Sequence, residues 1–157
     1  MLDKVSNALV TIGAAGLVLM TAIIGWQVFG RFILDSSPSW SEQASLLLMI
    51  WYALFAAAAG VREGFHIRIA LLEDISSAEM GRYIRITIHA LVALFGAIML
   101  YYGIELVREV RDHVIPSLGL SRGIAYIPLP VSGLLILIFA LAHLRDEYKS
   151  VPAKESD

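Results

Sequence analysis

The sequence predicts an all-α integral membrane protein with four transmembrane helices. Three observations carry that reading: composition, the spacing of charges, and their uneven distribution. Of the 157 residues, 58% are hydrophobic and 17% charged, against about 45–50% and about 25% in an ordinary soluble domain. The excess is concentrated in four stretches free of Asp, Glu, Lys and Arg: between Lys4 and Arg31, Glu42 and Arg62, Arg85 and Glu105, and Arg122 and Arg145. Each is 19 to 26 residues long, and about 20 apolar residues cross about 30 Å of hydrocarbon as a helix. The stretches are too long for membrane β-strands and lack their alternation.

The elements follow in order. The first span covers about residues 5–32. Its apolar core far exceeds the roughly 7–15 residues of a signal peptide, and no A-x-A-like site follows it, so it reads as a retained helix. The loop Ile33–Ser41 is short, which makes spans one and two an antiparallel pair. Ser39 and Glu42 have the spacing of a capping box opening span two, about 42–62. Within that span Ala53, Ala56, Ala57 and Gly60 form two small-xxx-small spacings, expected to pack closely on a helix, of the same chain in the first reading and of another chain in the alternative. In the next loop Ile67, Leu71 and Ile75 recur every four residues against Arg68, Glu73 and Asp74. This pattern predicts a short amphipathic helix lying in the membrane interface.

Ser76 and Glu79 form a second capping box, launching a helix that continues into span three, about 84–107, where Ala93 and Ala97 repeat the small-residue spacing. Glu105, Arg108, Glu109, Arg111 and Asp112 are spaced for ion pairing on a projecting helical end, which Pro116 and Gly119 should break. Span four, about 124–145, opens with Pro128 and Pro130, tolerated where backbone N–H groups lack helical partners. Residues 1–145 thus form one transmembrane domain and 146–157 a polar tail.

Orientation follows from the cations. The N-terminus, middle loop and tail share one side of the membrane and carry Lys4, Arg62, Arg68, Arg82, Arg85, Arg145, Lys149 and Lys154. The other side carries Arg31, Arg108, Arg111 and Arg122. The positive-inside rule places both termini in the cytoplasm. Trp26, Trp40, Tyr101, Tyr102 and Tyr126 then fall near the outer boundary, as an interfacial aromatic belt would.

Chemistry is sparse. With no cysteine, disulfides, thiolate metal sites and cysteine nucleophiles are excluded. Neither phosphate-binding glycine loop occurs, nor H-E-x-x-H, nor G-x-S-x-G. No enzymatic activity, cofactor or metal is expected, and a net charge of −2 offers nothing to nucleic acid. Ionisable residues inside a membrane normally mark an ion or substrate path, yet the spans hold only His89 and His143, both near the inner ends of their helices. These read first as histidines wetted by headgroups or bonded to a carbonyl. The competing reading is a bis-histidine haem in the membrane anchor of a redox complex, with His66 as a further candidate. An autonomous carrier is disfavoured by so bare an interior. Arg31 either snorkels to the interface or pairs with Glu42 or another subunit.

Three segments bear a family resemblance: Arg31 followed by Trp40-Ser41-Glu42; Trp51 with Ala56-Ala57-Ala58-Ala59-Gly60 and Val61-Arg62-Glu63-Gly64-Phe65-His66-Ile67; and Pro116, Leu118-Gly119-Leu120, Tyr126 and Leu129-Pro130. In this order and spacing they resemble the small membrane subunit of tripartite ATP-independent periplasmic (TRAP) transporters, the DctQ-like family. The chain departs from the family's pattern at Gln43 and Leu46, where an acidic and a basic residue are frequent. The resemblance covers about residues 1–145. It implies a non-enzymatic scaffold subunit of the bacterial or archaeal inner membrane. Its partners would be a large multi-span subunit, a periplasmic substrate-binding protein and membrane lipid. The transporter would take up an organic acid, driven by a sodium gradient. It also implies interface roles for Arg31, Trp40 and Glu42 at the outer end of span two, and for Arg62 and His66 at its inner end.

Overall fold

A computed structural model describes residues 2–36, 38–63 and 78–149. The inner-loop helix expected over 67–75, the capping box at Ser76 and His66 lie outside the described residues. Elsewhere the chain is helical: α1 (Leu2–Ile33), α2 (Ser39–Glu63), α3 (Ala78–Val110), a two-residue ladder of β1 (Val114–Ile115) with β2 (Leu120–Ser121), a short α4 (Arg122–Tyr126) and α5 (Pro128–Lys149). Four stretches of the described helices are long and apolar enough to cross a membrane. The chain is therefore an all-α, four-span integral membrane protein.

The helices form an open row. Among the described residues, α3 packs most extensively on α5, α1 on α2, and α2 on α5. No comparable interface joins α1 to α3 or α5, or α2 to α3. The order across the row is α1–α2–α5–α3, with the last helix inserted between the second and third.

The returning segment after α3 accounts for that insertion. Helix α3 stops at Val110, earlier than the break expected at Pro116 and Gly119. The backbone turns through Val110 O, which accepts from His113 N (3.1 Å), and the short hairpin then brings Arg122 N onto His113 O (2.7 Å). Gly119 takes a left-handed conformation (φ 66°) at the tip, where Gly119 N donates to Ile115 O at 2.9 Å. Hairpin pairing offers these backbone groups partners that a prolonged helix ending in proline would not. Among the described residues Glu105, Arg108, Glu109, Arg111 and Asp112 make no ion pair, so the expected ion-paired helical end does not form. Ser121 caps α4, its hydroxyl accepting from Gly123 N at 3.1 Å. Pro128 is the first residue of α5, where a missing N–H costs nothing.

The tightest seam is α3 against α5. A Cβ added to Gly133 would lie 2.6 Å from Leu100 N and 2.9 Å from Gly96 O; one added to Gly96 would lie 2.7 Å from Leu137 N. Only hydrogen fits between these backbones. Toward the end of the row where α1 begins and α2 ends, Leu9 of α1, Phe55, Ala58 and Ala59 of α2, and Ile136 and Phe139 of α5 form a continuous core. The α2 alanines that pack inside the chain are thus Ala58 and Ala59. Ala53, Ala56 and Ala57, expected to do so, are exposed, and nothing lies within 4 Å of a Cβ on Gly60. The within-chain reading of that spacing therefore fails for this face: five consecutive small residues put one on every side of the helix, and the chain covers the side of Ala58 and Ala59.

Candidate functional site

The site residues predicted from sequence fall at the two ends of α2. Arg31 lies in the last turn of α1 and Glu42 in the first turn of α2. Trp40, also at the start of α2, stands beside them at the same end of the α1–α2 pair. All three are exposed. The connecting loop folds back on α1: Gly30 O accepts from Leu34 N (3.2 Å) and Ser36 N (3.0 Å), and Asp35 adopts a positive φ of 46°.

Two expectations at this end are revised. Ser39 already belongs to the helix, and the hydrogen bond seen at its start is made by Ser41, which is fully buried. Its hydroxyl donates to Pro38 O at 2.7 Å, alongside Ser41 N at 3.2 Å. Placed one residue earlier than a box on Ser39 requires, Pro38 offers its ring-fixed φ for entering the helix and leaves its carbonyl to accept both donors. Arg31 and Glu42 form no ion pair with each other or with any described residue. Both side chains are exposed and so accessible to solvent, headgroups or a second protein.

At the opposite end, Arg62 is half-buried in the last turn of α2, four residues past Ala58. The structure thus brings Arg31, Trp40 and Glu42 to one end of α2 and places Arg62 a full membrane span away.

The α3–α5 seam carries two polar contacts: the histidines that the sequence reading placed together, and an ion pair that it did not foresee. The rings of His89 and His143 stack with centroids 5.1 Å apart and planes inclined by 16°. One helical turn along, Arg85 Nε donates to Glu147 Oε1 at 2.9 Å. Helix α5 runs past the expected tail boundary at 145 to place Glu147 there. The seam's signals were legible in principle. Arg85 and His89 are four apart, as are His143 and Glu147, which puts each pair on one helical face.

This geometry does not fit a haem. Axial imidazoles meet an iron edge-on from opposite sides of a flat macrocycle, whereas these rings lie face to face with no space for one between them. His143 Nε2 is buried without a hydrogen-bond partner, so the headgroup-wetted, carbonyl-bonded reading is also revised for this nitrogen.

A further tie holds α2 to the returning segment: Trp51 Nε1 donates to Ile124 O at 3.3 Å, and its ring meets Phe55 edge-on. Between α2, the hairpin and the start of α5 lies an apolar groove of about 670 Å³. Among the described residues no group of three or more His, Cys, Asp or Glu side chains is arranged to hold a metal ion.

An open row of four long apolar helices, with charges gathered toward their ends, defines a polytopic membrane protein. Residues 20–149 match the family described as tripartite ATP-independent periplasmic transporters, DctQ component, and the chain belongs to that family. It is similar to the ectoine TRAP transporter small permease protein TeaB of Halomonas elongata, 28% identical over 145 residues, covering 87% of this chain and 75% of that one. It is also similar to the sialic acid TRAP transporter small permease protein SiaQ of Vibrio cholerae, 25% identical, covering 87% and 80%. With the C4-dicarboxylate TRAP transporter small permease protein DctQ of Rhodobacter capsulatus it shares 28% identity, covering 62% of this chain and 44% of that one. The chain is accordingly a small permease component of a TRAP transporter and a multi-pass inner-membrane protein.

Proposed function

We propose that this subunit braces a large multi-span transport subunit and widens the periplasmic surface on which a substrate-binding protein docks, in a sodium-driven system for uptake of an organic acid. The observation that carries the reading is the open row. Of its most apolar 18-residue stretch, 39% of residues are buried in the central α5 and only 11% in the flanking α1. Two broad apolar faces are left for lipid or another subunit. The spans hold no charged side chain suited to binding a carboxylate, so substrate and coupling ions belong to the partner. The three relatives are named for ectoine, sialic acid and C4-dicarboxylates, all of which carry a carboxylate, and that supports an organic acid as the substrate class.

In this reading residues 1–145 make up the transmembrane domain, residues 146–157 the polar tail, and both termini are cytoplasmic. Arg31, Trp40 and Glu42 meet the large subunit or the binding protein at the outer end; Arg62 and His66 orient the inner loop. The exposed Ala53, Ala56 and Ala57, with Gly60, where an added Cβ meets nothing within 4 Å, permit close approach of a partner helix.

Co-purification from the native membrane in mild detergent, followed by uptake assays in liposomes, tests the assignment. A stable complex with a many-span protein, weakened by Arg31→Ala and Glu42→Ala, is expected. If both variants assemble and transport like the wild type, the outer residues are only local structure.

A further inference from the structure

We infer that the cleft between the start of α3 and the end of α5 binds the phosphate of a membrane phospholipid, with Arg82 as its cationic anchor. Arg82, Tyr83 and Ile86 of α3 and Tyr148 of α5 line this cavity of about 300 Å³. Arg82 is half-buried, and among the described residues its side chain makes no hydrogen bond, ion pair or ring contact. Its Nε is buried without a partner, which leaves the two Nη groups as the reachable donors. No carboxylate lines the cleft. A guanidinium half withdrawn from water and unpaired is costly until an anion meets it.

Two neighbouring cations show what sets Arg82 apart. Arg85, three residues further along α3, donates to Glu147 at 2.9 Å, so the chain supplies its anion. Arg145 of α5 is exposed and lies outside the cleft, where water screens its charge. Arg82 has neither a carboxylate nor full access to water.

Depth selects the phosphate. The charge-free stretch between Arg85 and Glu105 holds 19 residues, about 29 Å of helix, which matches about 30 Å of hydrocarbon. Arg85 therefore marks the hydrocarbon edge, and Arg82 lies about 4–5 Å outside it. The polar layer on each side of a bilayer is about 5–8 Å deep, so Arg82 stands at the level of the lipid phosphates. Tyr148 directly follows Glu147, the partner of Arg85, and shares that level. Ile86, one turn deeper than Arg82, lies on the hydrocarbon side. The cleft is thus cationic and phenolic above and apolar below, the order in which a phospholipid carries its phosphate above its chains. A phosphate is present at this depth wherever a lipid lies against the row, whereas a carboxylate reaches it only if another protein brings one. The fork of Nη donors suits two phosphate oxygens, and it reads the phosphate alone, without distinguishing one phospholipid headgroup from another.

The test uses the full chain, purified in mild detergent, with lipid retention read by native mass spectrometry. Phosphatidylcholine is compared with monogalactosyldiacylglycerol of the same acyl chains, which has no phosphate; both are neutral overall, so net charge does not bias the comparison. The phospholipid should be retained about tenfold more than the galactolipid, the size expected of one charge-assisted contact. Arg82→Gln should erase that margin. Arg145→Gln, which removes an exposed cation outside the cleft, should leave it intact. Equal retention of the two lipids by the wild type would overturn the site, as would a loss in Arg145→Gln equal to that in Arg82→Gln. Inorganic phosphate at millimolar concentration should leave the phospholipid in place; displacement would assign the cleft to the free anion and overturn the lipid. So would a cross-link, in native membranes, from Tyr148→Cys to a co-purifying protein, which would put a protein partner over the cleft. The chain has no other cysteine, so that signal reports the cleft alone.

Discussion

The two flanks of the helix row are built differently. Helix α3 is locked to α5 by glycines that bring the backbones into contact, by a stacked histidine pair and by an ion pair. Among the described residues helix α1 packs mainly on α2, exposing Leu17, Val18, Leu19, Trp26, Phe29 and Phe32 along its length. In lipid there is no hydrophobic force to draw α1 in, since acyl chains satisfy a leucine as well as a neighbouring helix does. Association rests on close packing and polar contacts, and α3–α5 has both. The α3–α5 side is therefore the rigid part of this subunit, and α1 the part whose environment other molecules complete.

Substitutions can break or sharpen that contrast. The largest effect is expected from Phe139→Ala, because Phe139 is fully buried where α5 meets the α1–α2 pair. Loss of its ring should cost about 3–5 kcal/mol, read as a fall in thermal midpoint in detergent. Next comes Gly133→Leu, which cannot fit against Leu100 N and Gly96 O. About 3 kcal/mol of destabilisation is expected, the upper end of ordinary overpacking. A Gly133→Leu protein as stable as wild type would mean that the seam is looser than the structure shows.

Trp51→Phe keeps the apolar ring but loses the hydrogen bond to Ile124 O, at a cost of about 1 kcal/mol. Cysteine pairs placed across α2 and α4 should then cross-link more slowly. Glu147→Gln weakens the partly exposed pair with Arg85 and should cost no more than about 1 kcal/mol. At the far end of the scale lies Gly25→Ala on α1, where nothing stands within 4 Å of the added methyl. It should stabilise the isolated subunit slightly, by about 0.5–1 kcal/mol, through helix propensity. If the same change disrupts a complex with a large subunit, that face of α1 is part of the interface.

The α1–α2 loop shows how far local sequence reasoning reaches. The antiparallel α1–α2 pair was legible from a short polar connection between two long apolar runs. Which serine makes the hydrogen bond at the start of α2 was not. Ser39 and Ser41 both precede the apolar run, and the choice depends on where Pro38 leaves its carbonyl. The contacts between α3 and α5 divide in the same way. His89 and His143 were expected at similar depth from their positions in spans three and four. That they stack face to face, and that Arg85 reaches Glu147, depends on α3 and α5 being neighbours.

By itself the sequence determined the number of spans and their approximate extents. A charged side chain in hydrocarbon costs several kcal/mol wherever the helix lies, so each boundary is a local matter. The returning prolines and the bare interior were likewise written in single segments. Only the tertiary structure decided the order α1–α2–α5–α3, which alanines of α2 face inward, and where a groove remains beside Arg122. The physical reason is a lack of contrast: a helix face that meets lipid and one that meets another helix are both apolar, so hydrophobic periodicity cannot tell them apart. What separates them is how closely backbones approach across glycines distant in sequence, and that is settled only when the helices are assembled.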